Sequence, residues 1–287
     1  MKTSSLTPGS APNLDADRAI QLMRELEPVF IRAADRACEL QADAKSSHKN
    51  DGGYIEIEIV TTADLAVQEM ILTALLSTEL AGCRLLAEED TPAAKRFNPA
   101  SHLYLTVDPI DGTSHYAQGQ PYFSTIIGLR SNTELLYTFY HFPRFGWTHR
   151  MIRNRYEVSG QLPAIELPDV ARNAVIYSFG DRLIEDTDPA AQALRETGLH
   201  LIRKRDLAPN ILAGSTALFL AGRVAGLYGP NPLVYDGLVG LHYAQTQGFP
   251  IYTKGPSGPL DYSQIVDCPT GCYHPGYFMA LARTENS

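Results

Sequence analysis

The six residues Asp108-Pro109-Ile110-Asp111-Gly112-Thr113 are the part of this sequence whose types and spacing best suit chemistry. Two carboxylates flank a proline that removes a backbone donor and interrupts regular structure. Gly112 permits a tight turn or the close approach of a ligand to the backbone. Thr113 adds a hydroxyl and an amide. Carboxylates gathered at a strand end repel each other unless a cation or a proton sits between them. Hard oxygen donors of this kind favour Mg²⁺ over zinc or copper. The same residues also suit a plain turn, since Asp-Gly is a common turn pair, and the local sequence does not choose between the two.

Other acids stand at comparable places. Glu88-Glu89-Asp90 closes a second apolar run. Asp236 begins an apolar helix, where an isolated Asp is ordinarily an N-cap. Asp64 falls in the first turn of another predicted helix, where an acid complements the dipole. Each has a local explanation, but the joint arrangement has no common one. Weaker candidates are set aside. Cys268 and Cys272 with His274 are loosely spaced for zinc and lack a second ligand pair. Arg203-Lys204-Arg205 suits a solvated strand end better than a substrate contact. His115 reads as a structural or solvated loop histidine. The aromatic residues from Tyr137 to Trp147 read as core and interface material.

The elements that must position these acids follow from periodicity. Apolar spacing predicts a helix over 14–45, kinked or split at Pro28. A loop over 45–53 leads to an alternating strand over 54–60. A helix runs from Thr61 or Thr62 to about residue 80. Strands are predicted at 83–87 and 103–107, the second ending at Asp108, with a polar loop at 91–101 as a candidate mobile flap. A strand pair follows at 123–129 and 135–142. Strands at 174–179, 200–203 and 250–253 then alternate with helices at 189–197, 215–225 and 236–247, an α/β rhythm.

Composition narrows the function classes. The 287 residues are 44% hydrophobic and 20% charged, enough for a sizeable core. Lys plus Arg number 24 against 32 Asp plus Glu, a net charge of −8. That balance argues against a nucleic-acid polymer or an anionic membrane as partner. It leaves room for an anionic substrate held through bound cations. Four cysteines are too few for a disulfide scaffold, so a reducing, cytoplasmic setting is expected. Residues 1–13 read as a disordered tail without an apolar signal core. No segment is long and apolar enough to span a bilayer.

The order of these motifs resembles the inositol monophosphatase family, within the larger group of magnesium-dependent, lithium-sensitive phosphatases. The matching residues are Asp64 in Val60-Thr61-Thr62-Ala63-Asp64, then Glu88-Glu89, Asp108 to Thr113, Gly214-Ser215-Thr216-Ala217-Leu218 and Asp236. The resemblance implies an α/β (α+β) layered sandwich of alternating helix and sheet layers. It implies an N-terminal α+β part over 14–165 carrying most ligands, and a C-terminal α/β part over 166–287 carrying the last Asp. By resemblance, Glu88, Asp108 and the carbonyl of Ile110 hold one Mg²⁺. Asp108, Asp111 and Asp236 hold a second, and Asp64 lies by a third ion or the water network. Thr113, with Glu88 or Asp64, would orient and deprotonate the attacking water. Asp111, Gly112, Thr113, Gly214, Ser215 and Thr216 would meet the substrate and its phosphate.

The activity implied is Mg²⁺-dependent hydrolysis of a small phosphomonoester by metal-activated water. Alternatives within that chemistry are a 3′,5′-bisphosphate nucleotidase, a histidinol-phosphate phosphatase and a sugar-bisphosphate phosphatase. The alternative outside it is a catalytically retired regulatory relative. Homodimers are frequent in the family, so a homodimer is the assembly to test for. Haloacid-dehalogenase-type phosphatases place one residue between their two aspartates. Pro109 and Ile110 make two here, which favours metal-activated water over a phospho-aspartyl intermediate. Three departures from the family pattern stand out. Tyr235-Asp236-Gly237 replaces the usual Trp-Asp, and Ser114-His115-Tyr116 replaces Thr-Asn-Phe. Residues 227–235 contain no Asp or Glu, so a carboxylate that binds substrate hydroxyls is missing, which weakens specificity for a polyol.

Overall fold

The computed structural model describes residues 14–41, 46–49, 58–164, 166–177, 192, 194, 197–207, 214–230, 235, 238–253, 266–268, 271–273 and 277–282. The expected tail at 1–13 lies outside them, as do most of the predicted helix at 189–197 and Asp236 itself.

Helix α1 (Ala16–Leu40) starts on Asp15, whose carboxylate accepts the Arg18 N–H at 2.8 Å. The expected break at Pro28 is absent, and one helix runs through it. Pro28 lies on the exposed side, where a carbonyl deprived of its partner can turn to water. An antiparallel pair, β1 (Ser46–Lys49) and β2 (Glu58–Thr61), leads into α2 (Thr62–Leu76). β1 falls where the sequence suggests only loop.

The first large sheet is built in chain order from β3 (Arg84–Ala87), β4 (Tyr104–Asp111), β5 (Ser124–Arg130), β6 (Leu135–Phe142), β7 (Trp147–Ile152) and β8 (Arg155–Ser159). β3 runs parallel to β4, and the other pairs are antiparallel. β4 does not stop at Asp108, as expected, but continues to Asp111. β7 and β8 are not evident from periodicity, because the polar residues of β7 are buried or half-buried in pairs. Arg150 meets Glu27 of α1 at 2.6 Å, His141 of β6 meets Thr148 at 2.8 Å, and His149 meets Tyr156 at 2.6 Å. The loop at 91–101 is less free than a flap. Ala93 and Phe97 are buried in the core, and Asn98 N–H donates to the Cys83 carbonyl at 3.1 Å.

The second sheet is ordered β10 (His200–Arg203), β9 (Ala174–Tyr177), β11 (Gly226–Pro230), β15 (Tyr277–Leu281), β12 (Ile251–Thr253). Its first three strands are parallel and the last two join antiparallel. A further antiparallel pair is β13 (Val266–Cys268) and β14 (Gly271–Tyr273). The side chains of Cys268 and Cys272 lie outside the described residues, as does His274. The short helices are α3 (Thr113–Ala117), α4 (Lys204–Leu207), α5 (Ser215–Leu220) and α6 (Leu238–Gln247). α5 is shorter than expected because the chain turns at Ala221 into β11.

Two apolar layers pack against the first sheet, one on each face. Phe30 and Met23 of α1 and Ile71 of α2 pack with Leu105, Val107 and Phe139 on one face of the first sheet. On its other face, Ile126, Tyr140 and Met151 pack with Leu218 of α5 and Leu241 of α6, which also cover Ile176 and Leu227 of the second sheet. Helices and sheets therefore alternate in layers, as expected. His242 fastens α6 to the first sheet. Its Nε2–H donates to the Arg153 carbonyl at 2.9 Å, and its Nδ1 accepts from the Thr138 hydroxyl at 2.8 Å. No helix among the described residues is long and apolar enough to cross a membrane.

Candidate active site

Parallel pairing puts the ends of β3 and β4 side by side. Ala87 pairs with Val107, and the Glu88 N–H donates to the Val107 carbonyl at 3.1 Å. Glu88 therefore emerges next to Asp108, one strand spacing away. On the other side of β4, Asp108 pairs with Ile126 and Asp111 with Ser124. Pro109 and Ile110 together face only Thr125, which makes a β-bulge. The Thr125 hydroxyl donates to the Pro109 carbonyl at 2.8 Å and satisfies it there. Residues three apart on a regular strand point to opposite faces, and the extra residue of the bulge cancels that offset. Both carboxylates accordingly act on the Tyr140 hydroxyl, whose ionisation is pushed up by burial first and then by the charge of Asp111.

Asp111 is half-buried and takes hydrogen bonds from Ser124 Oγ at 2.7 Å and Tyr140 OH at 3.4 Å. Burial raises its carboxyl above the usual range. Those two hydrogen bonds and the nearby His115 and Lys204 oppose the rise. After Asp111 the chain turns at Gly112, with φ at +90°. A Cβ there would meet the Tyr122 carbonyl at 3.1 Å and would sit on left-handed backbone, so glycine is required. Thr113 opens α3, and its hydroxyl donates to the Ile110 carbonyl at 3.0 Å. That carbonyl keeps a second lone pair for another partner. The first amides of α3 are the donors that no preceding turn of helix satisfies.

α3 is anchored to the far end of α1. Tyr116 OH donates to the Ala37 carbonyl at 2.8 Å, and Gln41 Nε2 donates to the Gln120 carbonyl at 2.7 Å. Arg144 closes this latch on Gln41 Oε1 at 2.8 Å. His115 pairs through Nδ1 with Gln120 Oε1 at 2.8 Å, which ties it to its own loop. Burial, and then the charge of Lys204, lowers its pKa.

Asp64 is the third residue of α2 and is 1% exposed. One turn further on, Gln68 Nε2 donates to the Glu89 carbonyl at 2.6 Å, and Gln68 Oε1 accepts the Glu89 N–H at 3.0 Å. Residues four apart share a helix face, so the face bearing Asp64 is the one turned to the end of β3. Gln68 has no signal in the sequence beyond that spacing. Lys204, at the start of α4, is half-buried and lies within electrostatic reach of Asp111 and His115. The solvated strand end expected for it is not what the structure shows.

The structure thus places Glu88, Asp108, Ile110, Asp111, Gly112 and Thr113 at the ends of β3 and β4, with the face of α2 that bears Asp64 turned towards the end of β3. Gly214 caps α5, and Ser215 and Thr216 form its half-buried first turn. Asp236 lies outside the described residues. Its neighbour Tyr235 is buried and lines a small gap with Thr106 of β4 and Thr138 of β6.

The donors present are carboxylate and carbonyl oxygens, a set that suits a hard divalent cation. Asp64 Oδ1, Glu88 Oε2 and Asp108 Oδ1 are each buried and take no hydrogen bond, although each of these residues also engages other groups. Among the described residues, no three His, Cys, Asp or Glu side chains are placed so that they could together hold a metal ion. The donor chemistry fits such an ion, with Asp236 still to be added.

A family model described as the inositol monophosphatase family matches residues 19–206. The match takes in every residue from Asp64 to Thr113 and ends before Gly214 and Asp236. A relative from Solanum lycopersicum, inositol monophosphatase 3, is 29% identical over 103 residues, which are 35% of this chain and 37% of that protein. The chain therefore aligns with little more than a third of that relative's length. The extragenic suppressor protein suhB from Bartonella henselae superposes with a TM-score of 0.60 at 16% identity, covering 91% of this chain and 93% of that one. A structure described as IMPase/NADP phosphatase complexed with Mg²⁺ and phosphate superposes with a TM-score of 0.62 at 14% identity, covering 92% of each chain. These structures share the fold.

Proposed function

Because this chain belongs to the inositol monophosphatase family, we propose that it is a Mg²⁺-dependent phosphatase that hydrolyses a small phosphomonoester. The observation that carries this reading is the bulge in β4, which turns Asp108 and Asp111 to one side, next to Glu88 and just before Thr113. Glu88, Asp108, Asp111, Asp236 and the Ile110 carbonyl would hold the Mg²⁺ ions, with Asp64 beside them. Bound there, Mg²⁺ supplies charge neutralisation for the phosphate and lowers the pKa of water.

The chain's own residues do the rest. Thr113 Oγ1 donates to the Ile110 carbonyl, so its lone pairs can accept a hydrogen bond from a water placed beside it and orient that water. Glu88 or Asp64 takes the water's other proton as its oxygen attacks phosphorus, and the ester oxygen leaves as an alkoxide that is protonated from solvent. The amides at the start of α3 and the turn Gly214-Ser215-Thr216 donate to phosphate oxygens. Ser124 and Tyr140 hold Asp111 in one orientation from behind.

Lys204 supports a second reading of the substrate. A cation within electrostatic reach of Asp111, together with the absence of any acid over 227–235, suits a substrate bearing a further anionic group better than a bare polyol phosphate. A sugar bisphosphate or a 3′,5′-bisphosphate nucleotide has that character. The test is phosphate release from a panel of inositol phosphate, sugar bisphosphates, a 3′,5′-bisphosphate nucleotide and histidinol phosphate at fixed Mg²⁺. Removal of Mg²⁺ by chelation and addition of Li⁺ serve as controls. Turnover that needs Mg²⁺ and is lost with Li⁺ supports the proposal. Mg²⁺ binding without turnover on any substrate would favour a retired, regulatory relative.

A further inference from the structure

A second cavity, of about 310 Å³, opens between β7, β8 and the C-terminal end of α5. It lies three strands across the sheet from β4, about 14 Å by strand spacing. Its floor is buried, with Trp147 5%, His149 1% and Leu220 6% exposed. Its rim is exposed and includes Val158, Gln161 and Arg223.

The floor carries an unanswered polar group. The His149 ring stands edge-on to Trp147, with centroids 4.0 Å apart at 81°. Its Nδ1 lies 2.6 Å from the Tyr156 hydroxyl. Burial raises the ionisation of Tyr156 and holds His149 neutral, with its pKa lowered to about 3. A phenol O–H is a stronger donor than a neutral imidazole N–H, and an imidazole nitrogen a stronger acceptor than a phenol oxygen, which assigns Tyr156 as the donor and Nδ1 as the acceptor. The single imidazole proton is then on Nε2, which is buried and takes no hydrogen bond. Buried donors without an acceptor are rare in folded proteins. A ligand oxygen would complete this one once a small shift of the side chains on the cavity floor uncovers it.

We propose that this cavity is a second ligand site, distinct from the acidic cluster, which takes a small carboxylate with a flat or branched apolar body. The apolar body lies against Trp147 and Leu220. One carboxylate oxygen accepts from His149 Nε2–H at the floor, and the carboxylate pairs with Arg223 at the rim. A planar carboxylate matches the guanidinium fork, and one neutral donor over an apolar floor suits it better than a phosphate dianion.

α5 connects this cavity to the acidic end of the sheet. Its last residue, Leu220, lies on the cavity floor, and its first, Ser215, belongs to the turn assigned to phosphate, about 7.5 Å away along the helix. A ligand that pins Leu220 also fixes the helix that presents that turn, so the site acts on substrate binding. This coupling rests on the phosphatase reading, whereas the binding does not.

Trp147 is the only tryptophan of the chain, so its emission reports on this cavity alone. Titration of the full-length protein with phenylacetate and with 3-methylbutanoate should give a saturable change in that emission. Arg223→Gln should weaken phenylacetate binding about tenfold and leave binding of the neutral phenylacetamide unchanged. Ala221→Leu, which fills the rim, should abolish both. Circular dichroism confirms that both variants are folded. No saturable change with either carboxylate up to about 10 mM, or a change that survives both substitutions, overturns the proposal. Binding that leaves the KM of the phosphomonoester unmoved keeps the site and overturns the coupling.

Discussion

Gln68 grips the peptide of Glu89 with both ends of its amide, donating to the carbonyl at 2.6 Å and accepting from the N–H at 3.0 Å. Both groups are buried, and the residue before this peptide is Glu88. The clamp thus sets where the Glu88 carboxylate emerges relative to Asp108.

Gln68→Leu should uncouple helix from strand end. Leaving both Glu89 groups unsatisfied should cost about 2–4 kcal/mol of stability. The displacement of Glu88 should lower kcat about 10- to 100-fold and weaken the apparent Mg²⁺ affinity. Steady-state kinetics across a Mg²⁺ series, with denaturation curves alongside, reads both. A variant that loses stability but keeps its Mg²⁺ dependence would show that Gln68 serves the fold alone.

Asp111→Asn should abolish Mg²⁺-dependent turnover by about a hundredfold or more. Ser124→Ala, which removes only the hydrogen bond that orients Asp111, should cost about tenfold. Equal losses from both would mean that Asp111 acts by its placement rather than its charge. Full activity in Asp111→Asn would sink the site assignment.

Gly112→Ala puts a side chain on left-handed backbone and against the Tyr122 carbonyl at 3.1 Å. The backbone strain alone should cost about 1–2 kcal/mol. The turn carries Thr113 with it, so kcat should fall further than stability. Urea denaturation and kinetics on the same preparation separate the two. Stability equal to that of the parent protein would contradict the strained turn.

Acid should unfold this protein through its buried histidines before its carboxylates titrate. Burial lowers His141 to about 4, His149 to about 3 and His242 to about 4. In the unfolded chain each titrates near 6.5. Below that pH the unfolded state takes up protons that the folded state refuses. Stability is therefore full above about pH 6.5 and falls as pH drops towards 4, with a slope approaching about 1.4 kcal/mol per pH unit for each histidine. Chemical denaturation at several pH values between 7 and 5 should show this slope, and His141→Gln should remove one histidine's share of it. A flat profile would contradict it.

The acids and their order along the chain were legible in the sequence because each ends a strand or opens a helix, and those elements have clear periodicity. The bulge was not legible, since Pro109 reads equally well as the end of β4. Gln68 and Lys204 draw their roles from elements far away in sequence, so no local pattern marks them. β7 was hidden because its buried polar residues are neutralised by partners on α1, β6 and β8, which makes a core strand look solvated. The loop at 91–101 looked mobile from its polar average, yet two apolar residues in the core suffice to pin it. Asp236 fits the pattern and lies outside the described residues.

The bulge in β4 divides the ligands into two kinds. The separation between Asp108 and Asp111 is written into three consecutive peptide units, whereas the positions of Asp64 and Glu88 depend on how a helix and a neighbouring strand happen to be packed. Mutational drift in the core can therefore shift the second pair by fractions of an ångström without touching the first. Substrate preference and metal affinity become adjustable from afar, while the hard-wired pair keeps the underlying reaction intact. A lineage could change what this pocket accepts without first losing the ability to react.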